Sequence, residues 1–364
     1  MFPWFRQTPN QPNLADIEAH RICLIKPSAL GDVIQTLPVL SALRSRFPNA
    51  HIAWVVNRAY ADLLAGHPHL DETIVFDRQR ARPWSRPART AFSSLLKTLQ
   101  ERQFDLTCDL QGLLRSAIMT RATKARRRIG LGDAREGARL FYTNIVPVPH
   151  CDMSAVERYW LVAESLGVGA TSKQFLIALS SSERQWAERQ LAGLDGLRVA
   201  IHSGARWVTK RWPVSHFAEL ARRLEHEAGA RLVLVGGPEE SDVARQIVAA
   251  VQDRGVDLTG RTTLKQLTAV LSQVNLLVTN DSGPMHLAAA VGTPVAGIFT
   301  CTSPERARPY GPDHLIIGTS VWCAASYLKK CSRMECMSEL TPDRVWPLVR
   351  DHLVALKTRA AVSA

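Results

Sequence analysis

Residues 21–33 read R-I-C-L-I-K-P-S-A-L-G-D-V, an apolar run that leads into a glycine-containing turn. Residues 21–26 have the length and composition of a short buried strand, and apolar side chains then recur at helical spacing over residues 33–46. A strand, a turn and a helix in this order open an α/β domain. The turn is expected at the carboxyl end of the first strand, where open α/β sheets bind their ligands.

Strands and helices continue to alternate along the first half of the chain. Three further strands are predicted at residues 51–56, 72–76 and 104–109, with helix-length segments such as residues 90–101 between them. This alternation predicts a parallel sheet with helices on both faces, which is a doubly wound α/β fold.

The same pattern restarts near residue 197 and predicts a second unit of the same kind. Its strands are expected at residues 198–202, 230–235, 257–258, 276–279 and 294–298, and its helices at residues 213–228, 239–251, 263–272 and 285–291. A chain of 364 residues is long enough for two domains, and the polar stretch 170–182 is the predicted boundary. The predicted parts are a flexible N-terminal extension (1–20), a first domain (21–178), a second domain (179–340) and a C-terminal helix (341–364).

The chain carries an excess of positive charge, with 45 Lys and Arg against 33 Asp and Glu and a formal net charge of +12. This excess predicts an anionic partner, and nucleic acid, a phosphorylated small molecule and an acidic membrane surface all fit it. The hydrophobic fraction of 46% and the charged fraction of 21% are those of a globular protein and exclude global disorder.

Two dense groups of cations lie in the first half. Each alone fits a solvated face or a loop, but two such groups in one domain favour an anion-facing surface. The first group is Arg78, Arg80, Arg82, Arg86 and Arg89, and the second is Arg121, Lys124, Arg126, Arg127 and Arg128.

The seven cysteines are scattered and odd in number, which favours reduced thiols in a reducing compartment. Cys323, Cys331 and Cys336 are separated by seven and four residues, a poor match to structural zinc sites, so packing thiols are favoured over a metal site. The sequence shows no signal peptide and no apolar run of membrane-spanning length. We therefore expect a cytoplasmic protein that is soluble or attached to a membrane face.

Asp32 follows the glycine of the first turn and is expected at the N-terminus of the first helix. Backbone N–H groups and the helix dipole keep a carboxylate there ionised and oriented, which suits a base that takes a proton from an acceptor hydroxyl. Asp is also a common helix N-cap, and position alone leaves both roles open. The turn lacks G-x-G-x-x-G, so the dinucleotide fingerprint of a dehydrogenase is absent.

Two turns of the second half carry groups that suit a nucleotide. Arg206, Lys210 and Arg211 follow its first strand and supply positive charge for a pyrophosphate. A Gly-Gly-Pro turn after its second strand precedes Glu239 and Glu240, and either carboxylate is placed to accept a hydrogen bond from a ribose hydroxyl.

A third turn, T-N-D-S-G-P-M-H at residues 279–286, leads from a strand into a helix. A small polar turn at a helix N-terminus presents N–H donors to an anion. Asp281 and His286 either belong to such a site or bond only to each other as part of the structure.

Five segments of the chain follow one another in a recognisable order. They are K-P-S-A-L-G-D-V-I-Q-T-L-P (26–38), F-D-L-T-C-D-L-Q-G-L-L-R-S-A (104–117), A-R-E-G-A-R-L-F-Y (134–142), K-R-W-P (210–213) and N-D-S-G-P-M-H-L (280–287). Together they resemble the heptosyltransferases, glycosyltransferase family 9, and the resemblance covers residues 21–356.

The resemblance implies a GT-B fold, in which two Rossmann-like domains face each other across a cleft and the C-terminal helix packs back on the first. It also implies inverting transfer of a heptose from ADP-heptose to the Kdo-lipid A inner core of lipopolysaccharide, on the cytoplasmic surface of the inner membrane. Asp32 would be the general base. Lys210 would neutralise the leaving diphosphate, and neither a divalent metal nor a cofactor would be required.

Further residues acquire roles from the same resemblance. The donor would be bound by Ser203, Arg206, Lys210, Glu239, Glu240, Asp281, Ser282, Gly283 and His286. The anionic, lipid-linked acceptor would be bound by Gly31, Arg78, Arg80, Arg82 and Arg135.

Three alternatives compete with this interpretation. Another nucleotide-activated sugar and a different surface glycan fit the same motifs. A nucleotide-sugar epimerase or dehydrogenase would need the missing glycine-rich fingerprint. A nucleic-acid-binding protein would explain the positive charge, but it would need a module that presents aromatic side chains to bases.

Overall fold

The computed structural model describes residues 13–77, 86–169, 171–251 and 255–363, which form two parallel sheets of six strands. The strands of the first sheet are β1 (Arg21–Ile25), β2 (His51–Asn57), β3 (Glu72–Phe76), β4 (Leu106–Asp109), β5 (Arg127–Leu131) and β6 (Asn144–Val146). Their spatial order is β3-β2-β1-β4-β5-β6, which is the order of a Rossmann fold.

The second sheet repeats this topology. Its strands are β7 (Arg198–His202), β8 (Arg231–Leu234), β9 (Gly255–Asp257), β10 (Leu276–Asn280), β11 (Val295–Phe299) and β12 (His314–Gly318). Their spatial order is β12-β11-β10-β7-β8-β9, and every pairing is parallel. Two Rossmann-like sheets are thus confirmed, and the predicted α/β class with them.

Helices cover both sheets. Those of the first half are α1 (Leu30–Ile34), α2 (Leu37–Arg46), α3 (Arg58–Leu64), α4 (Arg86–Glu101), α5 (Leu114–Ala122) and α6 (Ala155–Ser165). Those of the second half are α7 (Ser181–Gln190), α8 (Val214–Ala228), α9 (Ser241–Val248), α10 (Leu264–Leu271), α11 (Gly283–Ala290), α12 (Pro304–Ala307), α13 (Glu335–Glu339) and α14 (Pro342–Ser363). Among the described residues, no helix is both long and apolar enough to cross a membrane.

The central strands explain why the sequence pattern was informative. Every residue of β10 is buried, as is every residue of β1 after Arg21. A parallel strand covered on both faces must be apolar throughout, so it stands out in the sequence as a continuous run. Each predicted strand is accordingly present, with its ends moved by at most a few residues.

Three strands were missed because their sequences carry little apolar signal. β5 begins with Arg127 and Arg128 inside the second cation group, and β6 has only three residues. β12 is the outermost strand of its sheet and is mostly half-buried. The helix predicted over residues 33–46 is instead two helices, because the chain turns at Thr36 and Pro38 starts a new helix in its first turn.

Both described ends of the chain pack on neighbouring elements. Residues 13–20 of the predicted flexible extension are packed: Ile17 is buried, and the Arg46 guanidinium donates to its carbonyl oxygen at 3.1 Å. Residues 1–12 lie outside the described ranges. The C-terminal helix α14 packs on α8 and β12 of the second half, and its return to the first domain stays a prediction.

The second cation group lies away from the edge where ligands bind. Arg127 and Arg128 open β5, so they are at the amino end of a parallel strand, opposite the carboxyl ends that carry the turns. The Arg128 guanidinium donates to the carbonyl oxygens of Phe141 and Ala125 at 2.9 and 2.8 Å. Arg128 therefore ties neighbouring loops together, and Arg127 and Arg128 lie at the edge opposite the ligand-binding turns.

Candidate active site

A cavity of about 400 Å³ lies between the two halves. One wall comes from α1 and α6 of the first half, and the other from the turns that follow β7, β10 and β11 of the second. Both walls stand at the carboxyl ends of central strands, which is where the turn positions predicted a ligand site.

The two halves meet at the first turns of α1 and α11. A Cβ atom on Gly31 would lie 2.5 Å from Cδ2 of His286, and one on Gly283 would lie 2.7 Å from Cδ2 of Leu30. Both distances are far below a normal carbon contact, so glycine at these two positions is what lets the helices approach. The approach sets Asp32, one residue after Gly31, at the cavity wall.

The two oxygens of the Asp32 carboxylate have different partners. Oδ2 accepts from the backbone N–H of Ala29 at 3.1 Å, so this oxygen caps the start of α1. Oδ1 accepts from the hydroxyl of Tyr159 and lies 3.5 Å from Nζ of Lys26. The N-cap residue of α1 is Ala29 and Asp32 is the third residue of the helix, so Asp32 is not the N-cap, although its Oδ2 accepts the N–H of the N-cap residue. In this position 37% of the Asp32 side chain stays exposed towards the cavity.

Lys26 and Tyr159 form a buried support beneath Asp32. Lys26 Nζ donates to the Tyr159 hydroxyl at 2.7 Å and to the carbonyl oxygen of Leu110 at 3.0 Å. Tyr159 in turn donates to Asp32, and Arg158 Nη2 donates to the Tyr159 oxygen at 3.1 Å. The chain of hydrogen bonds fixes the rotamer of the carboxylate.

The same contacts set the ionisation of Asp32. Burial by itself raises the pKa of the carboxyl, but the Lys26 ammonium, the Tyr159 hydroxyl and the Ala29 N–H together outweigh burial and lower the pKa below the ordinary value for Asp. Asp32 is therefore ionised at neutral pH and able to accept a proton.

The opposite wall carries Lys210 in an ion pair with Asp281. Nζ of Lys210 lies 2.6 Å from Oδ2 of Asp281, which also accepts from the Thr302 hydroxyl at 2.6 Å. Asp281 is buried, so its carboxylate holds the ammonium at a fixed place. An ammonium has three donors, and two of those on Lys210 remain for a ligand.

The beginning of α11 lies beside this ion pair. Ser282 precedes α11, and its hydroxyl lies 3.1 Å from Nδ1 of His202. His286, in the first turns of the helix, is buried, which lowers the pKa of its imidazole and keeps it neutral. The predicted bond between Asp281 and His286 does not form within the described structure, where Asp281 pairs with Lys210 instead.

The structure brings most of the predicted site residues to one place and leaves others elsewhere. Those that line the cavity are Gly31, Asp32, Arg206, Lys210, Asp281, Ser282, Gly283 and His286. Those that do not line it are Ser203, Glu239, Glu240 and Arg135. Arg78, Arg80 and Arg82 fall outside the described residues.

Glu240 is engaged by its own turn. Its carboxylate accepts from the Gly237 N–H at 2.6 Å and lies 3.6 Å from Nε2 of His202. A Cβ atom on Gly204 would overlap this carboxylate, so the small residue is required there. The role of Glu240 in binding a ribose stays a prediction, and Glu239 beside it is exposed.

The sequence pattern does not indicate several residues of the site. Lys26 and Tyr159 are buried behind Asp32, and Tyr159 lies with Arg158 on α6, a helix that the pattern does not predict. Arg158, Trp207 and Arg306 line the cavity. The Lys210 ammonium lies 4.9 Å from the centre of the Trp207 ring, within cation–π range, and this contact has no sequence signature.

Cys336 is the most deeply packed of the three cysteines near the C-terminus. Cys336 is buried in the apolar cluster that contains Trp212 and Trp346, and burial raises the pKa of its thiol. Within the described ranges, no three His, Cys, Asp or Glu side chains converge so as to hold a metal ion.

Two Rossmann-like sheets that face each other across a cavity, with an ionised carboxylate on one wall and cations on the other, define a GT-B glycosyltransferase. Comparison with known proteins identifies the family within this class. The model of glycosyltransferase family 9 (heptosyltransferase) matches residues 92–337. The chain therefore belongs to glycosyltransferase family 9.

Individual relatives agree with this assignment. The chain is 28% identical over 293 residues to the lipopolysaccharide core heptosyltransferase OpsX of Haemophilus influenzae, over 79% of this chain and 81% of that protein. The structure of a family 9 glycosyl transferase from Veillonella parvula superposes with a TM-score of 0.79 at 25% identity, over 93% of this chain and 98% of that chain. The E. coli heptosyltransferase WaaC, solved with ADP and with ADP-2-deoxy-2-fluoro heptose, gives a TM-score of 0.73 at 26% identity, over 91% of this chain and 99% of that chain.

Replacing the buried ammonium tests the support beneath Asp32. Lys26→Met removes the charge that opposes the effect of burial, so we expect the pKa of Asp32 to rise. Because the folded-state pKa of Asp32 is depressed, its ionised form stabilises the protein at neutral pH, and this contribution is lost as the pH falls through that pKa. Lys26→Met should lose this stabilising contribution of Asp32 at a higher pH than the wild type does.

The measurement is a pH titration of the Asp carboxyl carbon resonances by NMR, with the Asp32 signal assigned from its absence in Asp32→Asn. Lys97→Met is the matched control, since Lys97 is an exposed lysine on α4. A signal for Asp32 that titrates identically in wild type and Lys26→Met would show that Lys26 does not set its ionisation.

Proposed function

We propose that the protein transfers a heptose from ADP-heptose to the Kdo-lipid A inner core of lipopolysaccharide, with inversion and with Asp32 as the general base. One observation carries the proposal: the Asp32 carboxylate and the Lys210 ammonium line opposite walls of one cavity. The names of its relatives support it, since OpsX is a lipopolysaccharide core heptosyltransferase and WaaC has been solved with an ADP-heptose analogue.

Asp32 would accept the proton of the attacking hydroxyl. Each carboxylate oxygen has two lone pairs, and Ala29 and Tyr159 occupy one on each oxygen, which leaves acceptor capacity that faces the cavity. As the acceptor oxygen forms its bond to the anomeric carbon of the heptose, its proton passes to Asp32. The bond from the anomeric carbon to the β-phosphate oxygen breaks on the opposite face, so the configuration inverts.

Lys210 and the start of α11 would stabilise the departing ADP. The diphosphate gains negative charge as the sugar leaves, and the ammonium of Lys210 and the first N–H groups of α11 are fixed before the reaction begins. Arg206 and Arg306, which are exposed at the cavity wall, add positive charge on the same side. In other transferases a divalent ion stabilises the charge on the leaving diphosphate. We propose that these groups stabilise it here and that no divalent ion is needed.

The acceptor would enter beside the first half. Arg158 lines the cavity next to Asp32 and is held by an ion pair with Asp133. Its guanidinium already donates to Asp133 and to the Tyr159 oxygen, and its remaining N–H groups would donate charge-assisted hydrogen bonds to a carboxylate or phosphate on the acceptor. A lipid-linked acceptor places the enzyme at the cytoplasmic face of the inner membrane. Another nucleotide-activated sugar remains the alternative donor.

Asp32→Asn tests the base directly. The amide keeps the size of the side chain but cannot take the proton, so the rate of transfer should fall about 10²- to 10⁴-fold, the usual contribution of a positioned base. Donor affinity should be retained, because the donor wall is untouched. Mass spectrometry of a Kdo-lipid A acceptor incubated with ADP-heptose reports the heptose-sized mass gain. The control is Asp62→Asn, an exposed aspartate on α3, and full turnover by Asp32→Asn would remove Asp32 from the mechanism.

Removal of divalent metal ions with EDTA tests whether sugar transfer proceeds without a metal. Since Lys210 and the N-terminus of α11 supply the charge at the diphosphate, we expect the same transfer rate in excess EDTA and in added Mg²⁺. A rate that collapses in EDTA and recovers with a divalent cation would contradict this part of the proposal.

A further inference from the structure

A buried amide side chain lies one helical turn beyond Asp32. Gln35 is the C-cap residue of α1 and keeps helical backbone angles, and its N–H donates to the carbonyl oxygen of Gly31 at 2.9 Å. Residues that are three apart on a helix lie on the same face. Gln35 therefore stands beside Asp32, and both residues line the cavity between the two halves.

The side-chain amide of Gln35 has no partner in the described part of the protein. Gln35 is only 5% exposed, yet its amide forms no hydrogen bond with any of the described residues. The next hydroxyl along the chain, that of Thr36, donates to the carbonyl oxygen of Asp32 at 2.8 Å. A buried amide without a partner destabilises a protein, so such groups are rare unless a water or a ligand satisfies them.

His286, from the other half, borders the same space as Gln35. Both residues line the main cavity and also a second cavity of about 10 Å³, which has room for about one water. Nδ1 of His286 has no hydrogen-bond partner among the described residues. Burial lowers the pKa of its imidazole, so the ring is neutral. Two uncharged polar side chains, one from each half, thus meet next to Asp32.

These two side chains suit a sugar hydroxyl. An amide and a neutral imidazole both donate and accept hydrogen bonds, and a hydroxyl needs partners of both kinds. The diphosphate of the donor would instead lie at the cations Arg206, Lys210 and Arg306. The anomeric carbon of the transferred sugar would lie within bonding reach of the hydroxyl that Asp32 deprotonates. The hydroxyls of that sugar would therefore come within reach of a side chain one helical turn away.

We propose that Gln35 is a specificity-determining residue, whose side-chain amide binds a hydroxyl of the transferred sugar beside His286. The inference rests on the proposed function, because it places the sugar of an ADP-linked donor next to Asp32. It gives the first half of the molecule a part in recognising the donor, whose nucleotide diphosphate would be bound by the second half.

Donor binding in the absence of an acceptor tests the role of Gln35. Gln35→Leu keeps a similar bulk but cannot form hydrogen bonds. Calorimetry should therefore find its Kd for ADP-heptose raised about tenfold, with the Kd for ADP unchanged. Gln246→Leu is the matched control, since Gln246 is an exposed glutamine on α9 that does not line the cavity, and both of its Kd values should stay those of the wild type.

Donor analogues identify the hydroxyl that Gln35 binds. Each analogue of ADP-heptose has one hydroxyl of the sugar replaced by hydrogen. One analogue should bind equally well to wild type and Gln35→Leu, because the contact is then missing in both complexes. If every analogue instead shows the full difference between the two proteins, Gln35 binds no sugar hydroxyl.

Thermal unfolding separates sugar binding from a structural role. Since the amide has no partner within the described structure, Gln35→Leu should unfold at the wild-type Tm or above it. A lower Tm with equally weakened binding of ADP and ADP-heptose would make Gln35 a structural residue. Unchanged affinity for both ligands would mean that the amide holds an ordered water only. Either result would overturn the role of Gln35 in sugar recognition.

The same proteins distinguish this inference from the proposed function. If the wild type binds ADP-heptose but transfers no heptose to a Kdo-lipid A acceptor, the proposed function fails, and the two Kd values still decide the role of Gln35. If the wild type transfers heptose and Gln35→Leu keeps the wild-type ratio of the Kd values, only the role of Gln35 fails. Failure of the wild type to bind ADP-heptose would overturn both.

Discussion

The close approach of α1 and α11 is the constraint on which the rest of the site depends. Gly31 and Gly283 have no side chains, and any Cβ atom at either position would collide with the other half of the molecule. With the two helices in contact, Asp32 and the Lys210–Asp281 pair line a common cavity. The proposed reaction would need a base and a stabiliser of the leaving group on opposite sides of one sugar, and the contact between the two helices would fix that arrangement before substrates bind.

Charge in the cavity is arranged in two separate pairs. On the first wall the Lys26 ammonium is buried and bonds to Tyr159, which in turn donates to Asp32. Lys26 therefore affects the ionisation and the orientation of the Asp32 carboxylate. On the second wall the buried group is the anion, Asp281, and the cation, Lys210, is the group that faces the cavity. A fixed anion therefore faces a fixed cation, and each has its own buried counter-charge. Charge fixed in this way would need little rearrangement during the proposed transfer.

The fold could be predicted from the sequence where burial forces continuous apolar runs, as in β1 and β10, and where a turn follows such a run. It could not be predicted for β5, whose first two residues are arginines and whose Arg128 donates to backbone carbonyl oxygens of neighbouring loops. At the site, Asp32 was identified because it stands at a strand-to-helix turn. Tyr159 was not, because 127 residues separate it from Asp32 and no periodicity links them. Sequence motifs thus locate the turns, whereas the contacts that set the ionisation and orientation of their side chains depend on tertiary packing. The roles of the individual residues came from the resemblance and remain predictions.

The most direct measurement of the central claim is a crystal structure of the Asp32→Asn protein with intact ADP-heptose and the head group of a Kdo-lipid A acceptor. The attacking hydroxyl should lie within about 3 Å of the residue 32 side chain. The anomeric carbon should lie between that hydroxyl and a diphosphate in contact with Lys210 and the start of α11. An acceptor hydroxyl bound far from residue 32, or a diphosphate bound away from Lys210, would contradict the proposed arrangement.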